Sequence, residues 1–298
     1  MSAKTLNWMK NLDLDNTQDV IELLFELGHF IPSGYGTSSQ EKEEIIRKCS
    51  EPGQNVFRDA VASLQGFMPV KTDGIFGLKS KENFIRERRC ACPDIQMAGQ
   101  TPKWSVYDLR VWHDMSNLGG HNSVDAYKEA LEMWASLPGS PFTFKWIDDN
   151  NNRPNFFGHD RNIDGRNKIL AWHEMLGRDG VRNSQLEFRV DNAEAWAQLW
   201  LLIATLAHEI GHGLGLYHIN VPEALMYPSM NGTRKPMQPD IAAIMDLYAG
   251  IWGNGPIPEP DPPKPKPPIP GEVEALGEFG NFTHQGYIYR LLQTRERV

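Results

Sequence analysis

The stretch "LAHEIGHGLGLYH", residues 206–218, decides the fold because it places histidines at a helical spacing that is followed by a turn. His208 and His212 are four positions apart, so a helix carries both imidazoles on one face. Gly215 suits a helix end and a change of chain direction, which would bring His218 back toward the same point. Three neutral imidazoles are typical of a catalytic zinc site, in which the fourth position of the ion stays open.

One acid, Glu209, lies between the two helical histidines without being a ligand. Zinc lowers the pKa of a bound water to about 7, and Glu209 suits the role of the general base that takes its proton. The pattern HExxH alone can also occur by chance on a surface helix. The longer pattern HExxHxxGxxH makes that interpretation much weaker.

A methionine follows the histidines in "EALMYP", residues 223–228. Met226 alone would be ordinary core filler, but its position after "HEIGHGLGLYH" favours a turn beneath the histidines. Together with Pro228, these residues resemble the matrixins, a branch of the metzincin zinc endopeptidases, over residues 103–250. An astacin or a serralysin, from other metzincin branches, is the alternative within this group.

The resemblance implies a zinc endopeptidase that cleaves polypeptides bound in extended form. It also implies an α+β catalytic domain with a small twisted sheet and three long helices, which agrees with the mixed periodicity of residues 101–252. A strand over residues 168–175 would pair with the substrate. The pocket for the residue after the cut should lie beside residues 226–239, behind Pro228, and accept an apolar side chain.

Residues 1–100 have helical periodicity and precede the catalytic region. Their helices resemble the peptidoglycan-binding-like fold of matrixin propeptides, and "TDGIFG" resembles a turn of that fold. We expect a folded plug, with weak binding of cell-wall glycan as an alternative role. Residues 253–271 read as a proline-rich extended linker, and residues 272–298 as a tail too short for a core of its own.

The propeptide-like region ends in "RRCACPD", residues 88–94. This stretch resembles the matrixin sequence P-R-C-G-V-P-D, whose cysteine thiolate fills the open zinc position and keeps the enzyme latent. The matching positions are Arg89, Cys90, Pro93 and Asp94, and the departures are Arg88, Ala91 and Cys92. The resemblance implies that Cys90 binds the zinc and that Arg89 and Asp94 pair to shape the loop. Removal of residues up to about 95–103 would then free the site.

Cys92 makes the identity of the latent ligand ambiguous. It could compete with Cys90 for the zinc, or form a disulfide with Cys49 and leave Cys90 free. Cys90 and Cys92 could also be ordinary thiols in a linker. Three cysteines in 298 residues are too few for a disulfide scaffold.

Two further stretches, "IDGRNKILAW" and "VDNAEAW", resemble matrixin calcium-binding segments. The resemblance implies a Ca2+ site of carboxylates and main-chain carbonyls, which suit a hard cation that takes about 6–8 oxygens. Its ligands would be Asp164, Asp191 and Glu194 through their side chains, and Gly165, Asn167 and Ile169 through their backbone oxygens. A polar turn with a nearby acidic cap is the alternative.

The second, structural zinc of animal matrixins is predicted to be absent. Trp172 and Arg189 occupy the positions of two of its histidines. His159 and His173 are nearby but displaced along the chain by a residue or more. We expect both to be ordinary polar-surface histidines.

The composition limits the remaining classes of partner. A formal net charge of −8 argues against nucleic acid, and no apolar run is long enough to cross a bilayer. We expect a monomer that acts on a protein or peptide substrate. The resemblance implies an extracellular enzyme, although residues 1–16 lack the apolar segment of a secretory signal. The rival hypothesis is a non-catalytic cell-wall or matrix-binding protein with a vestigial protease fold, and the intact zinc-site residues count against it.

Overall fold

The structure is a computed structural model that describes residues 12–34, 38–51, 55–87, 90–95, 102–148, 153–166, 168–176, 179–253, 282–284 and 287–289. The chain divides into two units, Met1–Pro260 and Asp261–Val298. Within the described residues, no helix is both long enough and apolar enough to cross a membrane.

The N-terminal part of the first unit contains helices in the region whose periodicity predicts them. Its helices are α1 (Thr17–Glu26), α2 (Ser39–Cys49), α3 (Val56–Gly66) and α4 (Leu78–Glu87). The first two begin at polar caps, since Asn16 accepts from the backbone of Gln18 and Ser38 forms a capping box with Glu41. Their apolar faces meet in one core, which includes Leu23, Leu24, Ile45, Val61 and Leu64.

A five-stranded sheet frames the rest of this unit. Its strands are β1 (Asp108–His113), β2 (Thr143–Trp146), β3 (Phe156–Arg161), β4 (Ala171–His173) and β5 (Leu186–Asp191). They lie in the order β2-β1-β3-β5-β4, and every neighbouring pair is parallel except β5 and β4. β4 is therefore an antiparallel edge strand, and it lies within the predicted strand 168–175.

The helices described in this part pack together with the sheet. They are α5 (Ser123–Ala135), α6 (Leu199–Gly213) and α7 (Gln238–Leu247). The indole of Trp134 in α5 donates to the carbonyl of Ala207 in α6 over 2.8 Å, which joins the two helices. One core links helices and sheet through buried rings that include Tyr127, Phe156 and Phe188. The arrangement is α+β, as predicted, and it fixes the helix that carries His208 and His212.

In the second unit, the structure describes two short strands, β6 (Phe282–His284) and β7 (Tyr287–Tyr289), which pair antiparallel. Both fall in the predicted tail of residues 272–298. Apart from Gly253, the predicted proline-rich linker of residues 253–271 lies outside the described residues.

Candidate metal centre

Three histidine side chains converge where α6 ends. His208 and His212 lie one turn apart on that helix, which ends at Gly213. Gly215 follows with φ of 104°, a left-handed conformation that favours glycine, and the chain turns there as predicted. Nε2 of His212 lies 3.1 Å from Nε2 of His208 and 3.3 Å from Nε2 of His218. The turn therefore brings the third histidine to the first two.

Cys90 reaches the same point from the N-terminal side of the chain. Its Sγ lies 3.5 Å from Nε2 of His212, and the ligand atoms of Cys90 and the three histidines all lie within 4.8 Å of one another. In a tetrahedral zinc site, nitrogens about 2.05 Å from the ion are about 3.3 Å apart, and a sulfur at about 2.3 Å lies about 3.6 Å from each nitrogen. The measured separations match these edges, so this donor set fits a zinc ion.

Backbone carbonyls orient the two helical histidines. Nδ1 of His208 donates to the carbonyl of Leu225 over 2.7 Å, and Nδ1 of His212 donates to the carbonyl of Leu216 over 2.8 Å. With the proton on Nδ1, each ring keeps a lone pair on Nε2, which faces the centre of the cluster. These contacts therefore select the tautomer that can bind a metal.

The third histidine is oriented by a carboxylate from the propeptide-like region. Oδ1 of Asp94 accepts from Nδ1 of His218 over 2.7 Å, and Oδ2 accepts from Nε2 of His29 over 2.8 Å. All three side chains are fully buried. Arg89, the predicted partner of Asp94, lies outside the described residues. No local pattern in the sequence distinguishes His29, so its contact with Asp94 was not predicted.

A second carboxylate that the sequence analysis missed supports the turn after the histidines. Asp240 in α7 is fully buried and accepts from the N–H groups of Leu225 and Met226 over 2.8 and 2.9 Å. Met226 is also fully buried and packs against Gly211, between the two helical histidines. Asp240 thus fixes the segment whose carbonyl orients His208. Its place in the first turn of a helix was the available signal.

Burial sets the protonation of the site. It lowers the pKa of His212 well below its usual range, with the neighbouring histidines adding to the effect, so the imidazole stays neutral as a metal ligand must. Burial also raises the pKa of the Glu209 carboxyl and of the Cys90 thiol well above their ordinary values. Cys90 therefore needs a cation beside it to exist as a thiolate.

Cys90 occupies a groove between the edge strand and the turn that follows the histidines. It forms a parallel bridge with Ala171 of β4, and its N–H donates to the carbonyl of Pro228 over 3.3 Å. A cavity next to Cys90 lies where the sequence predicts the substrate pocket. Its lining includes Thr205, Leu225, Tyr227, Met230 and Thr233.

The second cysteine of "RRCACPD" has a different environment. Sγ of Cys92 donates to the carbonyl of His173 over 3.3 Å, and Cys92 is not part of the group that Cys90 forms with all three histidines. Cys49, Cys90 and Cys92 form no disulfide in this structure, so the alternative of a Cys49–Cys92 disulfide is wrong for this structure. Cys92 does lie close to Cys90 and Glu209, so competition for the metal stays a prediction to test.

In the loop predicted to bind calcium, the Asp191 carboxylate is hydrogen-bonded to the backbone of the loop. Oδ2 of Asp191 accepts from the backbone N–H groups of residues 163–165 at 3.0–3.2 Å. Burial, with the nearby charges of Asp191 and Glu194, raises the pKa of Asp164 to about 6. Among the described residues, the only groups of ligand atoms close enough to share an ion lie at the histidine cluster. The three carboxylates alone therefore do not form such a group, and Asn167 lies outside the described residues.

Two further histidines differ from each other in their surroundings. His173 is fully buried and stacks on Phe188, and burial lowers its pKa to about 4. The prediction of a polar-surface histidine is wrong for His173, because α6 at Gly213 and the segment at Cys92 cover that part of the edge strand. His159 is partly buried and hydrogen-bonds a nearby carboxylate over 2.6 Å.

Together, a helix, a glycine turn and a buried methionine that assemble three histidines in an α+β domain define a metzincin-type metal centre. Residues 103–249 match the sequence profile of the family described as Matrixin. The chain belongs to the matrixin family.

Several known proteins are similar to this chain. Stromelysin-1 of Equus caballus is 30% identical over 263 residues, which are 79% of this chain and 49% of that protein. Neutrophil collagenase of Homo sapiens is 28% identical over 237 residues, 74% of this chain and 46% of that protein. Hatching enzyme of Paracentrotus lividus is 28% identical over 219 residues, 67% of this chain and 35% of that protein. The chain thus spans less than half the length of each of these relatives.

Proposed function

We propose that the chain is a zinc-dependent endopeptidase that hydrolyses peptide bonds of extended polypeptides. The observation that carries this proposal is the buried cluster of His208, His212 and His218 with the carboxylate of Glu209 in the same helix turn. The three histidines would hold the zinc. A zinc ion there would supply Lewis-acid chemistry, since it polarises a carbonyl and lowers the pKa of water.

Glu209 would act as general base and then as general acid. Its carboxylate would accept a proton from the attacking water and donate a proton to the leaving amine. The buried surroundings that raise its pKa support both roles, because the carboxyl group can hold the proton between the two steps. Oε2 of Glu209 has no hydrogen-bond partner among the described residues, so it is available for this transfer.

Cys90 would keep the full chain latent in two ways. Its Sγ lies close enough to the three histidines to share one ion with them, so it would fill the fourth position and exclude water. Its backbone also bridges Ala171 of β4, where an extended substrate would pair by β-augmentation. Cleavage of the chain at about residues 95–103 would remove both obstructions.

The substrate would lie along β4 with the side chain after the cut in the cavity behind Pro228. Leu225 and Met230 in the lining support an apolar occupant. The chain would act as a monomer, outside the cell, on protein or peptide substrates. The similarity to proteins named stromelysin and neutrophil collagenase supports a protein or peptide substrate.

A calcium ion would stabilise the loop that contains Asp164, Asp191 and Glu194. Its support is the burial of Asp164 beside the charges of Asp191 and Glu194, which a bound cation would offset. We also propose a single zinc per chain. Arg189 lies over the Trp172 ring, with its guanidinium carbon 5.7 Å from the ring centre, where the second site would need histidines.

The test is peptide hydrolysis by the chain after removal of residues up to about 103. Glu209→Gln keeps the shape of the side chain, and loss of a general base should reduce kcat by about 10²–10⁴-fold while the zinc stays bound. Equal activity in the variant would exclude the mechanism. A wild-type chain that binds zinc but cleaves no casein-like substrate would favour the rival function. That rival is a non-catalytic cell-wall or matrix-binding protein, with weak glycan binding by residues 1–100.

A further inference from the structure

The three histidines of the cluster do not have equivalent partners. His208 and His212 donate to backbone carbonyls of the same domain, at Leu225 and Leu216. His218 instead donates to the carboxylate of Asp94, which lies four residues beyond Cys90 in the propeptide-like segment. One of the three predicted zinc-binding imidazoles therefore has its hydrogen-bond partner in the segment that would leave with the propeptide.

Asp94 is held rigidly in this position. Its backbone N–H donates to the carbonyl of Leu27 over 3.0 Å, and its second carboxylate oxygen accepts from Nε2 of His29. Nδ1 of His29 lies 3.0 Å from Oγ of Ser63, so the ring is fixed from both sides. The ring also meets Phe67 edge to face at 5.8 Å. The segment that follows α1 thus holds Asp94 directly, and Ser63 of α3 supports it through His29.

The chemistry of a carboxylate at this place differs from that of a carbonyl. A buried carboxylate is costly unless it is paired, and it has an imidazole on each side here. A cation bound at Nε2 of His218 makes the Nδ1 proton more positive, which strengthens its bond to Asp94. In return, the carboxylate raises the basicity of the imidazole as a ligand. Loss of such outer partners typically weakens metal binding by about 10–100-fold.

We propose that Asp94, positioned by His29, tightens zinc binding in the latent chain. This inference rests on the proposed zinc site, but it concerns retention of the metal rather than hydrolysis. Asp94 acts through His218 and is independent of the thiolate of Cys90. Removal of the propeptide would therefore withdraw two contributions to zinc binding, one a direct ligand and the other a positioning carboxylate.

The experiment measures transfer of zinc from the full chain to a chromogenic chelator. Asp94→Asn keeps the size of the side chain and removes its charge, and we expect about 10–100-fold weaker zinc retention. Asp73→Asn is the matched control, because the Asp73 carboxylate stabilises a turn of the same N-terminal region by accepting from the side chain of Gln65 and the backbone of Ile75. It should leave zinc retention unchanged. Thermal unfolding of each variant verifies that the chain is folded.

Two combined variants separate positioning from general loosening of the propeptide. In a Cys90→Ser background that also carries Glu209→Gln, so that the chain cannot process itself, Asp94→Asn should still weaken zinc retention, because its effect passes through His218. His29→Gln should weaken retention in the wild-type chain and add little in the Asp94→Asn chain, because it acts by holding that carboxylate.

Several results would overturn the proposal. Zinc retention in Asp94→Asn equal to that of the wild type would refute it, as would an effect that disappears in the Cys90→Ser background. An equal effect of His29→Gln with and without Asp94 would refute the positioning role of His29. A wild-type chain that binds no zinc would instead refute the proposed function.

Discussion

Asp240 offers a quantitative test of how the turn after the histidines is held. Its carboxylate is fully buried and accepts three backbone N–H groups, from Leu225, Met226 and Met237, over 2.8, 2.9 and 2.7 Å. The first and third bonds go to Oδ2 and the second to Oδ1. Asp240→Asn with its carbonyl at the Oδ2 position keeps two bonds and leaves the Met226 N–H without an acceptor.

Each buried donor without an acceptor costs about 1–3 kcal/mol, so Asp240→Asn should lower the free energy of unfolding by about 1–3 kcal/mol. Asp240→Ala leaves all three donors without an acceptor and should cost about 3–9 kcal/mol. The Asn variant keeps the measurement accessible if the Ala variant does not fold. The Leu225 carbonyl also orients His208, so the Asn variant should bind zinc more weakly as well.

Urea denaturation measures these differences. Asp246→Asn is the matched control, because Asp246 is exposed on the same helix, and it should change stability by no more than about 0.5 kcal/mol. The reasoning fails if both Asp240 variants unfold at the same urea concentration as the control. It also fails if the Asn and Ala variants lower the free energy of unfolding by equal amounts, since stability would then not depend on the number of hydrogen bonds lost.

The remaining predictions concern the cysteines and the metals. Cys90→Ser should make the full chain active in a peptidase assay or lead it to process itself, because a serine hydroxyl stays protonated and is a poor zinc ligand. Cys92→Ser should stay latent. Activity in the Cys92→Ser variant alone would show that Cys92, and not Cys90, is the switch. Metal analysis should find about one zinc per chain, and two tightly held zincs would contradict the loss of the second site. Millimolar calcium should raise the Tm of chelator-treated protein, because a ligand of the folded state stabilises it. An unchanged Tm would argue against the loop at Asp164.

The chemistry of the site could be predicted from sequence because it depends on local spacing. Helical periodicity brings His208 and His212 to one face, and the tolerance of glycine for positive φ makes Gly215 a turn. The structure brings His218 and Cys90 to the same point, as the motifs predict. These features need no information about residues far away in the chain.

The centre of the sheet could not be predicted in the same way. β3 and β5 are two of its three inner strands, and neither was predicted from the sequence. β3 reads "FFGHDR", whose glycine and charged residues are typical of loops. Gly158 is required there because the ring of Phe188 in β5 fills the space that a side chain would need. That requirement appears only when the two strands lie side by side.

The cysteine motif does not express the role proposed for Asp94 in zinc retention. The motif predicts Cys90 as the fourth ligand, but it gives no role to His29, which is 65 residues away from Asp94. The structure places His29 and Asp94 in one buried chain of hydrogen bonds that ends at His218. A propeptide that only blocked the site could be replaced by any thiol of suitable reach. A propeptide that also supplies the hydrogen-bond partner of His218 would contribute to the metal site itself. Its loss would then weaken the binding of zinc by the mature enzyme.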